Sequence, residues 1–189
     1  MSLAPLPTRD QALALLHEWV ANVNLRKHAY AVEAAMRAYA RHFGEDEDRW
    51  GITGLIHDFD WERHPTLEQH PTDGVAVLRA AGWPEDVCTA VLGHATHTGV
   101  PRTTRMAQAL FACDELSGFL VACALVTPEK KLALVEVASV RKKMKNAGFA
   151  RAVNRDDIVN GAAELGVDLD THIAFVREAM LTIADELGI

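Results

Sequence analysis

The chain has 189 residues, of which 49% are hydrophobic and 24% are charged; this is enough for one sizeable core and too little for two full domains. A formal net charge of −7 disfavours binding to a nucleic-acid backbone, so nucleic acid is not an expected partner. The three cysteines include no C-x-x-C pair, which excludes a disulfide framework and a cysteine zinc site.

The sequence predicts neither a secretion signal nor a membrane span. Its N-terminus lacks a basic region followed by an apolar stretch. The longest clearly apolar run, Phe119 to Val126, is far shorter than the ~20 residues that a membrane helix needs. We therefore expect a soluble cytoplasmic protein with no membrane partner.

Helical signals dominate the first part of the chain. Thr8 opens a capping box, which predicts a first helix to about residue 22. Apolar residues at helical spacing predict a second helix over 25–43, which Gly44 ends, and a third helix over 48–57.

The middle of the chain alternates helices with loops that contain proline, glycine and threonine. Pro71 suits the first position of a helix, and Thr103 or Thr104 caps a long helix that Thr127-Pro128 ends. The predicted segments are a loop at 58–71 and helices at 71–81, 84–96 and 104–126.

Three more helices are predicted near the C-terminus, with Ser139, Asn154 and Asp168 as their N-caps. Their predicted spans are 140–146, 154–165 and 168–187. β-branched residues cluster at 135–140, but no segment alternates convincingly as a strand. The expected fold class is therefore all-α, in one domain.

A histidine and an aspartate are adjacent at the end of the third predicted helix. Neighbouring helical residues point about 100° apart, so His57 and Asp58 can reach one point only near a helix end. The junction between this helix and the loop that follows permits such convergence. The pair is therefore a candidate for metal binding.

Two further candidate ligands lie on the apolar faces of predicted helices. His28 is flanked by Leu25 and Val32, and a core histidine satisfied by a hydrogen bond is the open alternative. A carboxylate on the apolar stripe at Asp114 is costly unless it is paired or binds a metal, and a salt bridge to arginine is the alternative. Two histidines and two aspartates together suit Mn²⁺, Fe²⁺, Mg²⁺ or Zn²⁺.

These residues, in this order, resemble the H…HD…D motif of the HD-domain superfamily, and in particular its HDIG-like predicted metal-dependent phosphohydrolases. The resemblance runs through His28, Leu55-Ile56-His57-Asp58 and Ala112-Cys113-Asp114, and covers about half of the chain. It implies a single compact HD-domain helical bundle. Residues 1–127 would form the metal-binding core, and residues 128–189 a helical extension packed on it in the same domain.

Two further segments resemble HD proteins that carry extra histidines. His70-Pro71 with Gly74, and Gly93-His94, match that subset, and the resemblance implies a second ion bound by His70 and His94. Ala95 stands where some subfamilies have a paired histidine, and the G-Y-P signature of cyclic-dinucleotide phosphodiesterases is missing. A loop position for His70 and a solvated helix face for His94 and His97 are the alternatives.

The resemblance implies a hydrolase that attacks a phosphomonoester or a nucleotide with a water activated by one or two divalent ions. The candidate catalytic residues are Asp58, His94 and His97. His94 or His97 would protonate the leaving oxygen or bind a phosphate, since histidine titrates near neutral pH. Glu115 and Ser117, near Asp114, would support the ligands or serve packing.

One segment of this acidic chain is basic. Residues 141–155 contain six basic residues and no acidic one. A phosphate clamp is one interpretation, and a solvated helix face is the other. The candidate substrate-binding residues are Arg63, Lys142, Lys143, Lys145 and Arg151.

Three other hypotheses remain open from the sequence. An HD-like di-iron oxygenase would use the same ligand types with redox-active iron. A regulatory or binding module would keep the metal without catalysis. A helical homodimer would carry its histidines incidentally.

Overall fold

The computed structural model describes residues 5–189, which form ten α-helices and no strand within that range. The expected all-α fold class is therefore confirmed. Residues 1–4 belong to the N-terminus from which no secretion signal was expected, and they lie outside the described residues. The helices are α1 (Arg9–Trp19), α2 (Val23–Phe43), α3 (Glu47–Ile56), α4 (Thr72–Ala80), α5 (Glu85–His94), α6 (Arg105–Leu125), α7 (Val137–Met144), α8 (Arg155–Leu165), α9 (Leu169–Leu181) and α10 (Ala184–Leu187).

Side-chain caps define most of the predicted helix starts. Thr8 and Gln11 form the expected capping box at α1, with Thr8 N donating to Gln11 Oε1 over 2.8 Å. Thr104 caps α6 through its hydroxyl, and Asn154 caps α8 through its amide oxygen. Gly44 ends α2 at a φ of 70°, in the left-handed region that glycine adopts without steric cost.

Two helix boundaries near the C-terminus differ from the prediction. Ser139 is not an N-cap, because α7 begins at Val137 and the Ser139 hydroxyl instead accepts from Lys143 Nζ at 2.6 Å. The single helix predicted to Leu187 is interrupted after α9. The Thr182 hydroxyl donates to the Ala179 carbonyl over 2.7 Å, so it competes with the helical ladder where α9 ends.

The helices share one contiguous apolar core. α2 packs mainly against α3 and also against α6, and α8 and α9 pack against α6. Buried residues from both ends of the chain, such as Leu16 and Ile173, belong to this core. The segment after residue 127 thus packs directly on the helices that precede it.

The helix α6 runs through the centre of the core. Among residues 5–189 it alone is long and apolar enough, by length and composition, to cross a membrane. Most of it is buried against other helices, as in the core helix of a soluble protein. Burial within the fold therefore accounts for its apolar sequence.

Candidate metal centre

Three helices bring one group of four side chains together. His28 comes from α2, His57 and Asp58 from the end of α3, and Asp114 from α6. One ligand atom of each lies within 4.8 Å of all the others. His28 Nε2 is 2.9 Å from Asp114 Oδ1, although the two residues are 86 positions apart in the sequence.

His57 is the most constrained member of this group. Its Nδ1 donates to the Gly54 carbonyl over 2.8 Å, so the lone pair of the neutral ring is on Nε2. The ring is fully buried, and Nε2 has no hydrogen-bond partner among the described residues. It lies 3.4 Å from Asp58 Oδ2 and 3.3 Å from Asp114 Oδ1. A buried nitrogen left without a bond is costly, which indicates a ligand at this point.

A second group shares Asp58 with the first. Asp58 Oδ1 is 3.3 Å from His70 Nε2 and 3.2 Å from His94 Nε2, and the two histidine nitrogens are 3.3 Å apart. Asp58 Oδ2 faces the first group, so its two carboxylate oxygens face different groups. Asp58 is therefore common to both groups that could hold an ion.

Hydrogen bonds on the far side of each ring fix both histidines of the second group. His70 Nδ1 donates to Asp60 Oδ1 over 2.8 Å, and His94 Nδ1 donates to the Val91 carbonyl over 2.5 Å. Asp60 is itself buried and accepts from Gly74 N at 3.2 Å. Histidines that ligate metals are oriented in this manner, by a carboxylate or a carbonyl on the other nitrogen.

The residues fit divalent ions. Each of the three fixed rings, when neutral, directs an Nε2 lone pair towards carboxylate oxygens, and two such acceptors repel unless a cation lies between them. Imidazole nitrogen and carboxylate oxygen are ligands of Zn²⁺, Mn²⁺ and Fe²⁺. The two groups that could hold an ion are His28, His57, Asp58 and Asp114, and Asp58, His70 and His94.

Protons take the place of the cation when no ion is bound. Burial acts to lower the pKa of His57, but Asp58 and Asp114 outweigh it and raise that pKa well above its ordinary value. Burial likewise lowers the pKa of His70, and its bonds to Asp58 and Asp60 overcome this and raise the pKa to about 9. Burial opposes ionisation of Asp58, yet the facing His57 holds the pKa of that carboxyl well below its usual range.

A cavity of about 620 Å³ opens above both groups. Glu115, Asn154 and Asp157 line another part of it, and burial followed by the nearby Asp114 charge raises the pKa of Glu115 to about 7. The apolar lining residues include Trp61, Leu67, Phe111 and Val153. The cavity wall therefore combines residues of the N-terminal helices with residues that follow α7.

Of the predicted catalytic residues, Asp58, His94 and His97 all line the cavity. His97 is exposed, and its Nε2 donates to the His70 carbonyl over 2.9 Å. That bond leaves Nδ1 of the neutral ring as an acceptor. The catalytic roles themselves stay predictions.

The structure does not bring the predicted substrate-binding residues to the cavity. Arg63 donates to the Glu18 carbonyl over 2.6 Å, and its guanidinium lies 4.1 Å from the centre of the Trp19 ring. Lys143 binds Ser139. The cavity is lined by none of the five predicted residues, Arg63, Lys142, Lys143, Lys145 and Arg151. Their position gives the predicted phosphate clamp no support.

The sequence interpretation missed two acidic residues of the site and left a third open. Asp60 lies two positions after Asp58, but only the folded loop shows that it binds His70. Asp157 reaches the cavity because α8 packs on α6. Glu115 lines the cavity, whereas the Ser117 hydroxyl donates to the Cys113 carbonyl over 2.6 Å within its own helix.

Comparison with known proteins identifies one family. Residues 25–118 match the family model described as HD domain. The matched segment contains every residue of the two groups that could hold an ion. A search of curated proteins and a search of solved structures found no significant match.

Proposed function

Since residues 25–118 belong to the HD domain family, whose members are generally metal-dependent hydrolases, we propose that this protein is a metal-dependent phosphohydrolase acting on a phosphomonoester or nucleotide. The observation that carries the proposal is the unpartnered, buried Nε2 of His57 between two carboxylates. A cavity of about 620 Å³ next to these carboxylates gives room for a small substrate.

The chain's residues would hold two divalent ions, one in each group, with Asp58 between them. Bound ions supply positive charge that lowers the pKa of a water and polarises a phosphoryl oxygen. On a six-coordinate ion, four protein ligands in one group and three in the other leave coordination positions open, and catalytic sites keep such a position. The fixed orientation of His57, His70 and His94 keeps their Nε2 atoms in place without reorganisation.

The reaction would break the ester P–O bond and form a new one to the oxygen of water. One proton of that water ends on the leaving alkoxide oxygen. His97 lines the cavity with Nδ1 as its open nitrogen, so in its protonated form it is the proposed donor of that proton. His94 would serve as an ion ligand, because its Nδ1 is bound to the Val91 carbonyl and its Nε2 faces Asp58.

Elemental analysis of the purified protein tests the metal centre directly. We expect about two ions per chain in the wild type, about one in His94→Ala and none in Asp58→Ala, which removes the shared ligand. His42→Ala is the matched control, since His42 is exposed on α2 and belongs to neither group. Hydrolysis of p-nitrophenyl phosphate with Mn²⁺, Fe²⁺ or Zn²⁺ then tests the activity.

The proposal fails if the wild type retains no ion when supplied with Mn²⁺, Fe²⁺ or Zn²⁺. It also fails if the loaded protein hydrolyses no phosphomonoester or nucleotide. Consumption of oxygen by the iron-loaded protein, without release of phosphate, would instead establish an oxygenase.

A further inference from the structure

The charge of the cavity wall is unusual for a site that accepts phosphates. Beside Asp58 and Asp114 at the proposed ions, two further carboxylates line the cavity, Glu115 and Asp157. Among residues 5–189 no lysine or arginine lines it. Phosphate-binding sites generally supply arginine or lysine for the phosphoryl oxygens, and here only the ions could do so.

Two arginines that contact lining residues are already bound elsewhere. Arg102 lies 3.7 Å from the centre of the Phe111 ring, but its guanidinium makes two bonds of 2.7 Å to Glu164. Arg155 donates to the Val153 carbonyl over 2.5 Å. Neither is available to a substrate without breaking these bonds. Because no cationic side chain lines the cavity, the additional phosphates of a polyphosphate would meet further acidic residues instead of lysine or arginine.

The two additional carboxylates are held next to each other by one residue. The backbone N of Asn154 donates to Glu115 Oε2 over 3.1 Å, and its side-chain Nδ2 donates to Asp157 Oδ2 over 2.8 Å. Within the described part of the chain, the other oxygen of each carboxylate receives no hydrogen bond. Each can therefore accept a bond from a ligand donor.

A ligand in this cavity is indicated independently of the acidic pair. The unpartnered His57 Nε2 and the convergent histidines already mark the adjoining ion site. Glu115 and Asp157 line the same cavity as His28, His70 and His94, so a ligand that spans the cavity from the ion site also meets these carboxylates.

The remaining lining is apolar. Trp61, Phe111 and Val153 contribute to the wall, and Leu67 is 61% exposed. A cavity wall that contains an exposed leucine and two aromatic rings suits contact with a short hydrocarbon body. A ligand that satisfies the whole cavity has a phosphate, an apolar body and a cationic group.

We propose that the substrate is a phosphomonoester with a primary ammonium group on a short apolar body, bound by Glu115 and Asp157, and not a nucleoside diphosphate or triphosphate. This rests on the proposed phosphohydrolase function and narrows it. Hydrolysis of such an ester with one water releases an amino alcohol and inorganic phosphate. The carboxylates select by charge: they attract the ammonium and repel additional phosphates.

The test compares two phosphonates of equal length. Phosphonates are used because their P–C bond replaces the ester P–O bond, so that binding is measured without hydrolysis. Binding of 3-aminopropylphosphonate and of n-butylphosphonate to the metal-loaded protein is measured by calorimetry. We expect the amino compound to bind at least about tenfold more tightly, as for a charge-assisted hydrogen bond in a partly buried site. In Asp157→Asn this ratio falls towards one.

Asp156→Asn is the matched control. Asp156 is the neighbouring acidic residue in the first turn of α8, it is exposed, and it does not line the cavity. Both variants remove one negative charge from the same helix start, so a general charge effect would appear in both. The inference requires that only Asp157→Asn loses the preference.

Hydrolysis of 3-aminopropyl phosphate and n-butyl phosphate completes the experiment. If both esters are hydrolysed equally well and both phosphonates bind equally, the substrate inference is overturned while the hydrolase function stands. Faster turnover of a nucleoside triphosphate than of the amino ester would also overturn it. If neither phosphonate binds to the metal-loaded protein and no ester is hydrolysed, the proposed function itself fails.

Discussion

At the scale of single residues, the centre depends on which nitrogen of each histidine carries a proton. Backbone carbonyls bind Nδ1 of His57 and His94, and the Asp60 carboxylate binds Nδ1 of His70. The Nε2 atoms are thereby left for an ion or for a second proton. Protons and ions therefore compete for the same positions.

This competition makes the stability of the metal-free protein depend on pH. The pKa of His70 is about 9 in the fold and about 6.5 in an unfolded chain. Because the folded value is the higher one, its stabilising contribution is complete below about pH 6.5 and is lost as pH rises through about 9. His57 acts in the same direction.

We therefore expect the free energy of unfolding of the metal-free protein to fall between about pH 6.5 and 9. Urea denaturation at several pH values, with a chelator present, measures this. His70→Gln should flatten the profile. The explanation is wrong if metal-free wild type is as stable at pH 9 as at pH 6.5.

At the scale of helices, the site depends on the close approach of α8 to α6. A Cβ placed on Gly161 would lie 2.6 Å from Ala112 Cα, so only glycine allows the two backbones to meet at this distance. His172 of α9 supports the same turn of α6, since its Nε2 donates to the Ala112 carbonyl over 2.9 Å. Asp114 lies two residues further along α6.

Gly161→Ala should therefore destabilise the protein by about 1–3 kcal/mol, because the backbone of Ala112 cannot move away as a flexible side chain would. Thermal unfolding measures the effect. Gly118→Ala in α6 is the contrasting variant, since its Cβ would meet only ordinary contacts at 3.9 Å and would gain helix propensity. Equal stability of the two variants would contradict the role of this close approach.

The helix starts and stops that could be predicted are those controlled by one local residue. Thr8, Gly44 and Asn154 act through their own backbone or side chain, and each is where the sequence placed it. Ser139 and Thr182 could not be assigned in this way, because their hydroxyls also bond within a helix. Whether such a residue caps a helix or lies inside it depends on tertiary packing, which cannot be read from the sequence.

The same distinction applies to the site. The resemblance to the H…HD…D motif grouped His28, His57-Asp58 and Asp114, and the fold brings these side chains together. Asp60 and Asp157 were missed because a loop and a tertiary contact place them. The basic residues of 141–155 form a marked pattern in the sequence, yet the fold does not direct them into the cavity.

At the scale of the whole molecule, an ion would connect parts of the chain that are distant in sequence. The proposed ligands His28 and Asp114 are 86 positions apart, and the His57-Asp58 pair lies between them in the sequence. An ion that binds only the folded chain stabilises it by mass action. Metal loading should therefore act on unfolding of the entire core.

With free ion at about 100 times its Kd, we expect about 2.7 kcal/mol of added stability and a rise in Tm of about 5–10 °C. Differential scanning calorimetry with and without Mn²⁺ or Zn²⁺ measures it, and a chelator should reverse it. Asp58→Ala should show no rise. An equal rise in wild type and Asp58→Ala would place the ion outside the described groups.

Val153, Asn154 and Asp157 form a part of the cavity wall that comes from a different segment of the chain than the residues that could hold ions. These residues belong to the segment after α7, whereas the groups that could hold ions all lie before residue 118. Substitutions at the start of α8 can thus change which molecules enter without altering what surrounds the ions. If the proposed hydrolysis is correct, the fold leaves the choice of substrate free to diverge while the residues around the ions are retained, and relatives with the same histidines and aspartates need not share a substrate.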